Sequence, residues 1–461
     1  MNRIFVALFF IAFAFASWEQ LSWEPPQPAV VEAPAPAPTL DDPVLQRLQA
    51  LEAQVAAASA PPPPEPPKQP MERLTADMLS AAKASVDLAI SLVGAMALFL
   101  GLMKIAEEGG LLRVIARLLR PLMIRLFPDV PPDHPAMGAM ILNFSANALG
   151  LANAATPFGI RAMKELDKLN PNPGTATNAM VLFLALNTSA LALMPTGVIA
   201  IRGALGSDDP GGIIGTTLFA TLCSSTVAVC AALLYQRFVE DNASVAPEEV
   251  EGDSDLDDHG AYPLWVSSLA LGSLFAFAPL AIYFGPVISP WVIPVLAVAL
   301  VAYGALNGVK VYEVFVEGAK EGFQVGVMII PYLVAILVAV GMLRSSGALG
   351  AFVGLISPAT TPLGMPAEAL PMALMRPLSG SGAYGIMMDI LSTEGPDSYT
   401  GYLVSTLQGS TETTFYVIAV YFGAINVQRI RHALAAALTA DAAGVVGSVI
   451  GVKLYFLAMG I

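Results

Sequence analysis

The sequence predicts an all-α polytopic membrane protein made of two inverted-topology repeats with re-entrant or broken helices. The 461-residue chain is 56% hydrophobic and only 13% charged, with a mean hydropathy of +0.67. A soluble domain usually carries about a quarter charged residues. The apolar residues form long blocks, such as 89–103, 213–235 and 291–306. A helix of about 20 apolar residues spans a bilayer, and lipid tolerates only helices and closed barrels. We therefore expect the lipid bilayer to be a partner.

The N-terminal segment, residues 1–20, has two interpretations. It contains Arg3, an apolar core and the small-residue pattern Ala-Phe-Ala at 14–16. These features are typical of a cleaved signal peptide, but also of a retained first membrane helix. Residues 21–75 are rich in Pro and Ala, including "APAPAP" and "PPPPEPP". Such a composition predicts a semi-rigid, extended stalk.

The first repeat is predicted over 76–238 and begins with a membrane helix at about 84–106. The stretch that follows, "LLRVIARLLRPLMIRLF", alternates apolar and basic residues at helical spacing. Four arginines recur along it: Arg113, Arg117, Arg120 and Arg125. This pattern predicts an amphipathic helix lying on the inner leaflet.

A re-entrant hairpin is predicted at 136–160. This apolar stretch lies between two basic clusters, the arginines above and a second cluster at 161–168. Lysine and arginine accumulate on the cytoplasmic side, so both flanks are expected there. A single span would place them on opposite sides. Two further helices are predicted at about 178–203 and 211–236, joined on the outer side by "GSDDPGG".

An acidic linker at 239–261 divides the chain near its middle. It carries much of the net charge of −14 and predicts a solvated, disordered segment. The second repeat is predicted over 262–461. Its first two helices, at about 264–284 and 290–308, are additional to the order of elements found in the first repeat.

The two repeats align in short segments. "ANALG" at 146–150 aligns with "SGAYG" at 381–385, and "LNTSALALM" at 186–194 aligns with "LQGSTETTF" at 407–415. The order of elements is also shared: helix, amphipathic piece, small-residue hairpin and two helices. The match is weak in individual residues but consistent in order.

The number of membrane crossings predicts that the repeats are inverted. The helix at about 326–344 runs outward, whereas its counterpart at 84–106 runs inward. The second hairpin, at 368–392, is therefore expected to open outward, and the basic segment 426–432 to be cytoplasmic. Inverted repeats are common in secondary transporters, whose sites lie at the repeat interface near the midplane.

The candidate site combines a buried charge with polar residues of both hairpins. Arg376 lies in an apolar stretch, with Asp389 and Glu412 as candidate partners, and ionisable residues at membrane depth are functional candidates by default. A structural salt bridge is the alternative. The candidates for lining a polar cavity are Asn143, Asn147, Asn153, Thr156, Asn187, Ser189, Ser379, Ser381, Gln408, Ser410 and Thr411. Interhelical hydrogen bonding is the alternative role for these polar residues.

Other kinds of chemistry are not expected. Cys223 and Cys230 lie in an apolar block, and the three histidines are scattered. The sequence has no nucleophile–base signature, no phosphate-binding glycine motif and no basic nucleic-acid patch. We therefore predict no enzyme activity, no metal, no cofactor and no nucleic-acid partner.

The chain also resembles a known family. The first half resembles spore maturation protein A, for example in "NFSANALGLANAATPFGIRAMKELDKLNP" at 143–171. The second half resembles spore maturation protein B, for example in "ALMRPLSGSGAYGIMMDIL" at 373–391. Both carry the nucleoside-recognition, or Gate, domain. The resemblance implies a fusion of two cooperating proteins in a bacterial plasma (inner) membrane, and a retained first helix. It does not fix a substrate or imply a role in spores.

Two functions follow as hypotheses. The first is a transporter or channel-like permease for a small polar solute, either nucleoside-like or an ion. The second is a non-transporting membrane scaffold or regulatory component of the spore-maturation type. Homo-oligomerisation is left open by the sequence.

Overall fold

A computed structural model describes residues 70–150, 152–189, 193–239, 261–345 and 348–460. The predicted N-terminal helix or signal peptide, nearly all of the stalk and nearly all of the acidic linker lie outside these residues. Within the described residues the secondary structure is helical, apart from one isolated β-bridge between Thr175 and Arg429. The prediction of an all-helical protein is therefore confirmed.

Sixteen α-helices are named here in chain order. The first half contains α1 (Pro70–Glu108), α2 (Leu111–Leu126), α3 (Pro135–Ala148), α4 (Ala152–Lys168), α5 (Asn178–Thr188), α6 (Thr196–Ala204) and α7 (Ile213–Tyr235). The second half contains α8 (Leu264–Tyr283), α9 (Gly285–Leu306), α10 (Val311–Ser345), α11 (Ala348–Thr360), α12 (Leu370–Met375), α13 (Gly380–Glu394), α14 (Tyr399–Ser410), α15 (Thr414–Gly423) and α16 (Ala433–Met459).

Five helical stretches of the described chain are long and apolar enough to cross a membrane. They are Thr75–Glu108, Ile213–Phe238, Leu264–Tyr283, Val287–Leu306 and Ala433–Met459. A chain with several such helices is a multi-pass membrane protein.

The order of helices in α1–α7 recurs in α10–α16. In each set a long helix is followed by a shorter helix, a helical hairpin, a helix interrupted near its middle and a final long helix. The hairpins are α3–α4 and α12–α13, and the interrupted helices are α5–α6 and α14–α15. In chain order, helices α8 and α9 lie between the two sets.

The two opening helices, α1 and α10, pack against each other in antiparallel directions. Glycines of α10 lie directly against the α1 backbone: a Cβ at Gly322 would lie 2.7 Å from the Cα of Ala97. Toward the C-terminus of α10 the contacts shift toward the N-terminus of α1. Gly318 contacts Gly101, whereas Gly326 contacts Val93. Small residues at intervals of four allow such close helix packing in membranes.

The two closing helices, α7 and α16, are also antiparallel. The Ser224 hydroxyl donates to the Ala440 carbonyl at 2.9 Å. On the next turns of α16, Gly447 lies against Ala220 and Gly451 against Thr216. Equivalent helices of the two sets therefore pair with each other in opposite directions at both positions.

At two places, residues at or just before a helix start in one set are hydrogen-bonded to the other set. Before α5, the Gly174 carbonyl accepts the Gln428 N–H at 2.8 Å, and Arg431 donates to the Asn178 side chain at 2.8 Å. Before α14, Asp397 accepts from Arg202 at 2.9 Å. We call these the α5 clasp and the α14 clasp.

Three predictions of local structure are wrong. The single helix expected at 178–203 is divided into α5 and α6, with residues 189–195 between them. The alignment of 146–150 with 381–385 is also incorrect, because 146–148 end the first arm of one hairpin whereas 381–385 begin the second arm of the other. In addition, α10 begins at Val311 rather than near 326.

Candidate binding site

A cavity of about 250 Å³ lies where helix interruptions from the two sets meet. The first set contributes the end of α3, the following turn and the start of α6. The second set contributes the break between α12 and α13, the end of α14 and the break before α15. The lining residues are Asn147, Gly150, Met194, Pro195, Thr196, Gly197, Val198, Arg376, Gly380, Tyr384, Gln408, Gly409, Thr411, Glu412 and Thr413.

The break between α5 and α6 ends at Pro195, the residue that precedes the first turn of α6. Proline has no N–H to continue a helix, so it is favoured at helix starts. The freed Leu193 N–H donates to the Ala148 carbonyl at 3.2 Å, which ties the break to the end of α3. This places the start of α6 at the cavity.

A chain of amides lies behind the first-set side of the cavity. Asn147 donates to the Asn187 side chain at 3.1 Å, and Tyr421 donates to the same oxygen at 3.4 Å. Asn143 donates to the Tyr421 hydroxyl at 3.2 Å and to the Ala155 carbonyl at 2.8 Å. The three asparagines therefore form one network, in which Asn147 reaches the cavity.

The break between α12 and α13 holds Arg376. Pro377 follows Arg376, and α13 restarts at Gly380 with Ser379 as its N-cap, whose hydroxyl accepts the Gly382 N–H at 3.1 Å. Ser381 lies on the first turn, its hydroxyl 3.5 Å from that of Ser379. Serine is a preferred N-cap because it satisfies an otherwise unpaired helix N–H.

Arg376 closes the C-terminal end of α14. Its guanidinium donates to the Gln408 carbonyl at 3.0 Å, to the Thr413 hydroxyl at 3.1 Å and to the Thr411 carbonyl. The last carbonyls of a helix carry partial negative charge and have no intrahelical donor, so a buried cation is well placed there.

Glu412 supplies the opposite charge. Its carboxylate lies 3.7 Å from the Arg376 guanidinium. The two side chains differ sharply in exposure, 8% for Arg376 and 51% for Glu412. The cavity therefore has a buried positive charge in its wall and a negative charge on a half-exposed side chain.

The two interrupted helices cross at this point. The Glu412 N–H, in the break of α14–α15, donates to the Thr188 carbonyl at the end of α5 at 2.7 Å. On the second-set side, the Phe415 N–H donates to the Pro377 carbonyl at 3.0 Å. Each break is thus bonded to the hairpin of its own set, and the breaks are bonded to each other.

The structure brings many of the predicted site residues together. Five line the cavity: Asn147, Arg376, Gln408, Thr411 and Glu412. Asn143 and Asn187 support Asn147, and Ser379 and Ser381 lie at the start of α13. Ser410 ends α14 and is buried facing α16, and the buried Ser189 follows α5 and bonds to the Ala185 carbonyl.

Two predicted residues lie away from the cavity, and a third cannot be placed. Thr156 lies on α4 and is not among the lining residues. Asp389 is nine residues beyond Gly380, about 13 Å further along α13, whereas Glu412 forms the ion pair with Arg376. The side chain of Asn153 is outside the described part of the structure.

Several residues of the site were not predicted from the sequence. Tyr384 and Thr413 line the cavity, and Asp441 of α16 lies behind it, bonded to Thr414. Asp441 carried a usable signal, because an acidic residue in an apolar stretch is a functional candidate. Among the described residues, no group of three His, Cys, Asp or Glu side chains is arranged to hold a metal ion.

These features define a class: a multi-pass helical membrane protein with two related sets of helices around a polar cavity. Comparison with known proteins identifies the family. The nucleoside-recognition Gate family matches residues 89–205 and 327–428, one region in each set. The chain belongs to the family of the spore maturation proteins A and B, which is confirmed by the relatives described next.

Two relatives match different parts of the chain, as a fusion requires. Spore maturation protein B of Bacillus subtilis (strain 168) is 48% identical over 164 residues, 36% of this chain and 92% of that protein. Spore maturation protein A of the same organism is 47% identical over 152 residues, 33% of this chain and 78% of that protein.

Proposed function

We propose that this chain is a carrier in a bacterial plasma membrane that moves a small polar solute, either nucleoside-like or an ion. In this proposal the two Gate-type repeats, 76–238 and 262–461, have inverted topology and form the site between them. The observation that carries the proposal is the crossing of two interrupted helices, one from each repeat, at a polar cavity. Carriers commonly bind solutes at such breaks.

Helix directions support the inverted arrangement. A two-fold axis in the membrane plane maps each helix onto an equivalent helix that runs the opposite way. Both α1 with α10 and α7 with α16 have this relation. The α5 clasp and the α14 clasp are equivalent contacts, and the inverted topology places them on opposite sides of the membrane.

The clasps suggest how access alternates. Each joins the two sets through hydrogen bonds of one arginine, the half-buried Arg431 or the fully buried Arg202. In this proposal either clasp opens while the helix pairs stay packed. Opening the α14 clasp would expose the cavity to the outside, and opening the α5 clasp would expose it to the cytoplasm. Rigid-body rocking of repeats about a fixed site is the usual form of this mechanism.

The cavity also indicates the size and chemistry of the solute. Its volume of about 250 Å³ lies just below the range of about 300–1,000 Å³ for sites of drug-sized ligands. Its walls offer amide, hydroxyl and carbonyl groups beside Arg376 and Glu412. A scaffold has no need for such costly groups at membrane depth.

Solute flux through proteoliposomes tests the proposal. The full chain is reconstituted, and uptake is measured for a panel of labelled nucleosides, amino acids and inorganic ions. Asn147→Ala removes an amide from the cavity wall and is expected to lower flux of the transported solute at least tenfold. Asn307→Ala is the matched control, because Asn307 caps the exposed end of α9 and bonds to the Tyr303 carbonyl.

The control variant should transport like the parent. If no solute of the panel moves, the carrier proposal is wrong, and the scaffold function, in which the chain binds partners in the membrane, is the better explanation. If both variants transport normally, the chain is a carrier but its solute site does not depend on Asn147.

A further inference from the structure

A buried carboxyl group lies behind the cavity, within a membrane-spanning helix. Asp441 is the ninth residue of α16, about 12 Å from the start of that helix. It is 5% exposed. Asp441 and Lys453 are the two charged residues of the Ala433–Met459 span, which makes the carboxyl an expensive feature of this helix.

Its two oxygens have different surroundings. One accepts the Thr414 hydroxyl at 2.6 Å, and the other is buried with no hydrogen-bond partner. An ionised oxygen without a donor is costly, whereas the carbonyl oxygen of a neutral carboxyl tolerates this position better. A protonated Asp441 can keep the same bond by donating its O–H to the Thr414 oxygen.

Other features favour the ionised form. Thr414 is the first residue of α15, so Asp441 lies at a helix N-terminus, where negative charge is stabilised. Arg376 acts on Asp441 through its positive charge. Burial and the helix end therefore act in opposite directions on the ionisation of Asp441.

The net charge of the groups around the cavity changes by one when Asp441 binds a proton. Arg376 contributes +1, and Glu412 and Asp441 contribute −1 each, so the set carries −1 when Asp441 is ionised. Protonation of Asp441 brings the set to zero. The other titratable groups on α16 and on the helices packed against it are Cys223, Cys230 and Tyr235 of α7, Tyr283 of α8, Tyr399 and Tyr402 of α14, Tyr416 and Tyr421 of α15, and Lys453 and Tyr455 of α16, with His432 just before it.

Asp441 is connected to the cavity by a short path. Its partner Thr414 follows Thr413, whose hydroxyl accepts from Arg376 at 3.1 Å. Arg376 in turn lies beside Glu412 in the cavity wall. A change of charge at Asp441 therefore acts on the break of α14–α15, the element that crosses α5.

We propose that Asp441 is a proton-binding site that couples proton movement to solute movement through the cavity. The carboxylate takes a proton from the aqueous phase on one side, forming the O–H bond and losing its negative charge, and releases it to the other side. The proton-binding part is independent of solute transport, whereas the coupling part depends on the carrier function proposed above.

Infrared difference spectroscopy of the full chain in nanodiscs tests the proton site without any solute. In the difference spectrum between about pH 5 and about pH 9 we expect the C=O band of a protonated carboxyl. This band should be absent from the Asp441→Asn variant. Asp133→Asn, in an exposed loop, is the matched control and should retain the band. Thr414→Val removes a donor to the anion, so the midpoint of the band should move to higher pH by about one unit.

A band that is absent, or unaffected by Asp441→Asn, would overturn the proton site. A band that responds to sodium at constant pH, and not to pH, would also overturn it. Asp441→Glu is a second variant, which keeps the carboxyl group. It should restore a band with a changed midpoint, which distinguishes loss of the carboxyl from misfolding of the Asn variant.

Flux measurements separate this inference from the carrier proposal. A solute whose uptake needs Asn147, but ignores both a pH gradient and Asp441→Asn, would refute coupling and leave the carrier standing. An Asp441 band with no solute flux in any variant would support the proton site and refute the carrier.

Discussion

Arg376 is a residue with two tasks at once. It donates to carbonyls at the end of α14, and it balances Glu412 in the cavity. The first task belongs to the fold, because the helix break would otherwise leave buried carbonyls without donors. The second belongs to the site. Arg376 thus forms the ion pair that was one of the two interpretations of the sequence, and it also lines the candidate site.

The unequal burial of this ion pair gives a prediction. Arg376→Gln should lower the free energy of unfolding by about 3 kcal/mol, because several buried carbonyl and hydroxyl groups lose a charged donor. Glu412→Gln should cost less than about 1 kcal/mol, because half-exposed pairs contribute little. Thermal unfolding in detergent measures both. Equal losses in the two variants would show that Arg376 stabilises the fold mainly through Glu412.

The sequence indicated the charged residues of the site better than its walls. Arg376 and Glu412 were found because charged side chains are rare in apolar stretches. Tyr384 and Thr413 were missed, since only the meeting of α13 with α14 and α15 brings them to the cavity. Asp441 was missed although the rule that found Arg376 applies to it equally.

Among the helices, the contact between α1 and α10 depends on glycine. Gly318, Gly322 and Gly326 recur at intervals of four and lie against the α1 backbone. A side chain at these positions would force the two helices apart. The pattern is visible in "GAKEGFQVG", but the sequence alone does not tell which helix it contacts.

Gly322→Ala should destabilise the protein by roughly 1–3 kcal/mol, the usual cost of overpacking. Gly94→Ala, in α1, is the matched control, because a Cβ there meets nothing within 4 Å. Thermal unfolding of the two variants in the same detergent provides the comparison. A Gly322→Ala protein as stable as the Gly94→Ala protein would refute the close contact.

Helix boundaries were predicted where they coincide with long apolar blocks. Helix α7 was expected at 211–236 and spans Ile213–Tyr235, and α8 was expected at 264–284 and spans Leu264–Tyr283. The division of α5 from α6 was not predicted, because the polar Asn187-Thr188-Ser189 run is short and apolar residues continue on both sides. The break depends on tertiary contacts, since its backbone is hydrogen-bonded to the end of α3 and to the Glu412 N–H.

At the scale of the whole molecule, the same plan is used twice. Equivalent long helices pair in antiparallel directions, equivalent loops form the two clasps, and equivalent breaks cross at the cavity. The Gate family matches one region in each half. The order of elements predicted this duplication, although the segment alignment of the hairpins was displaced.

The sidedness of the two hairpins tests the inverted topology most directly. Lys168 ends the second arm of one hairpin and Glu394 ends the second arm of the other, and both are exposed. Each is replaced by cysteine in a chain in which Cys223 and Cys230 are serine, and labelled with an impermeant maleimide in spheroplasts and in inverted vesicles. We predict that Glu394→Cys is labelled only from outside and Lys168→Cys only from the cytoplasmic side. Labelling of both from the same side would contradict the account.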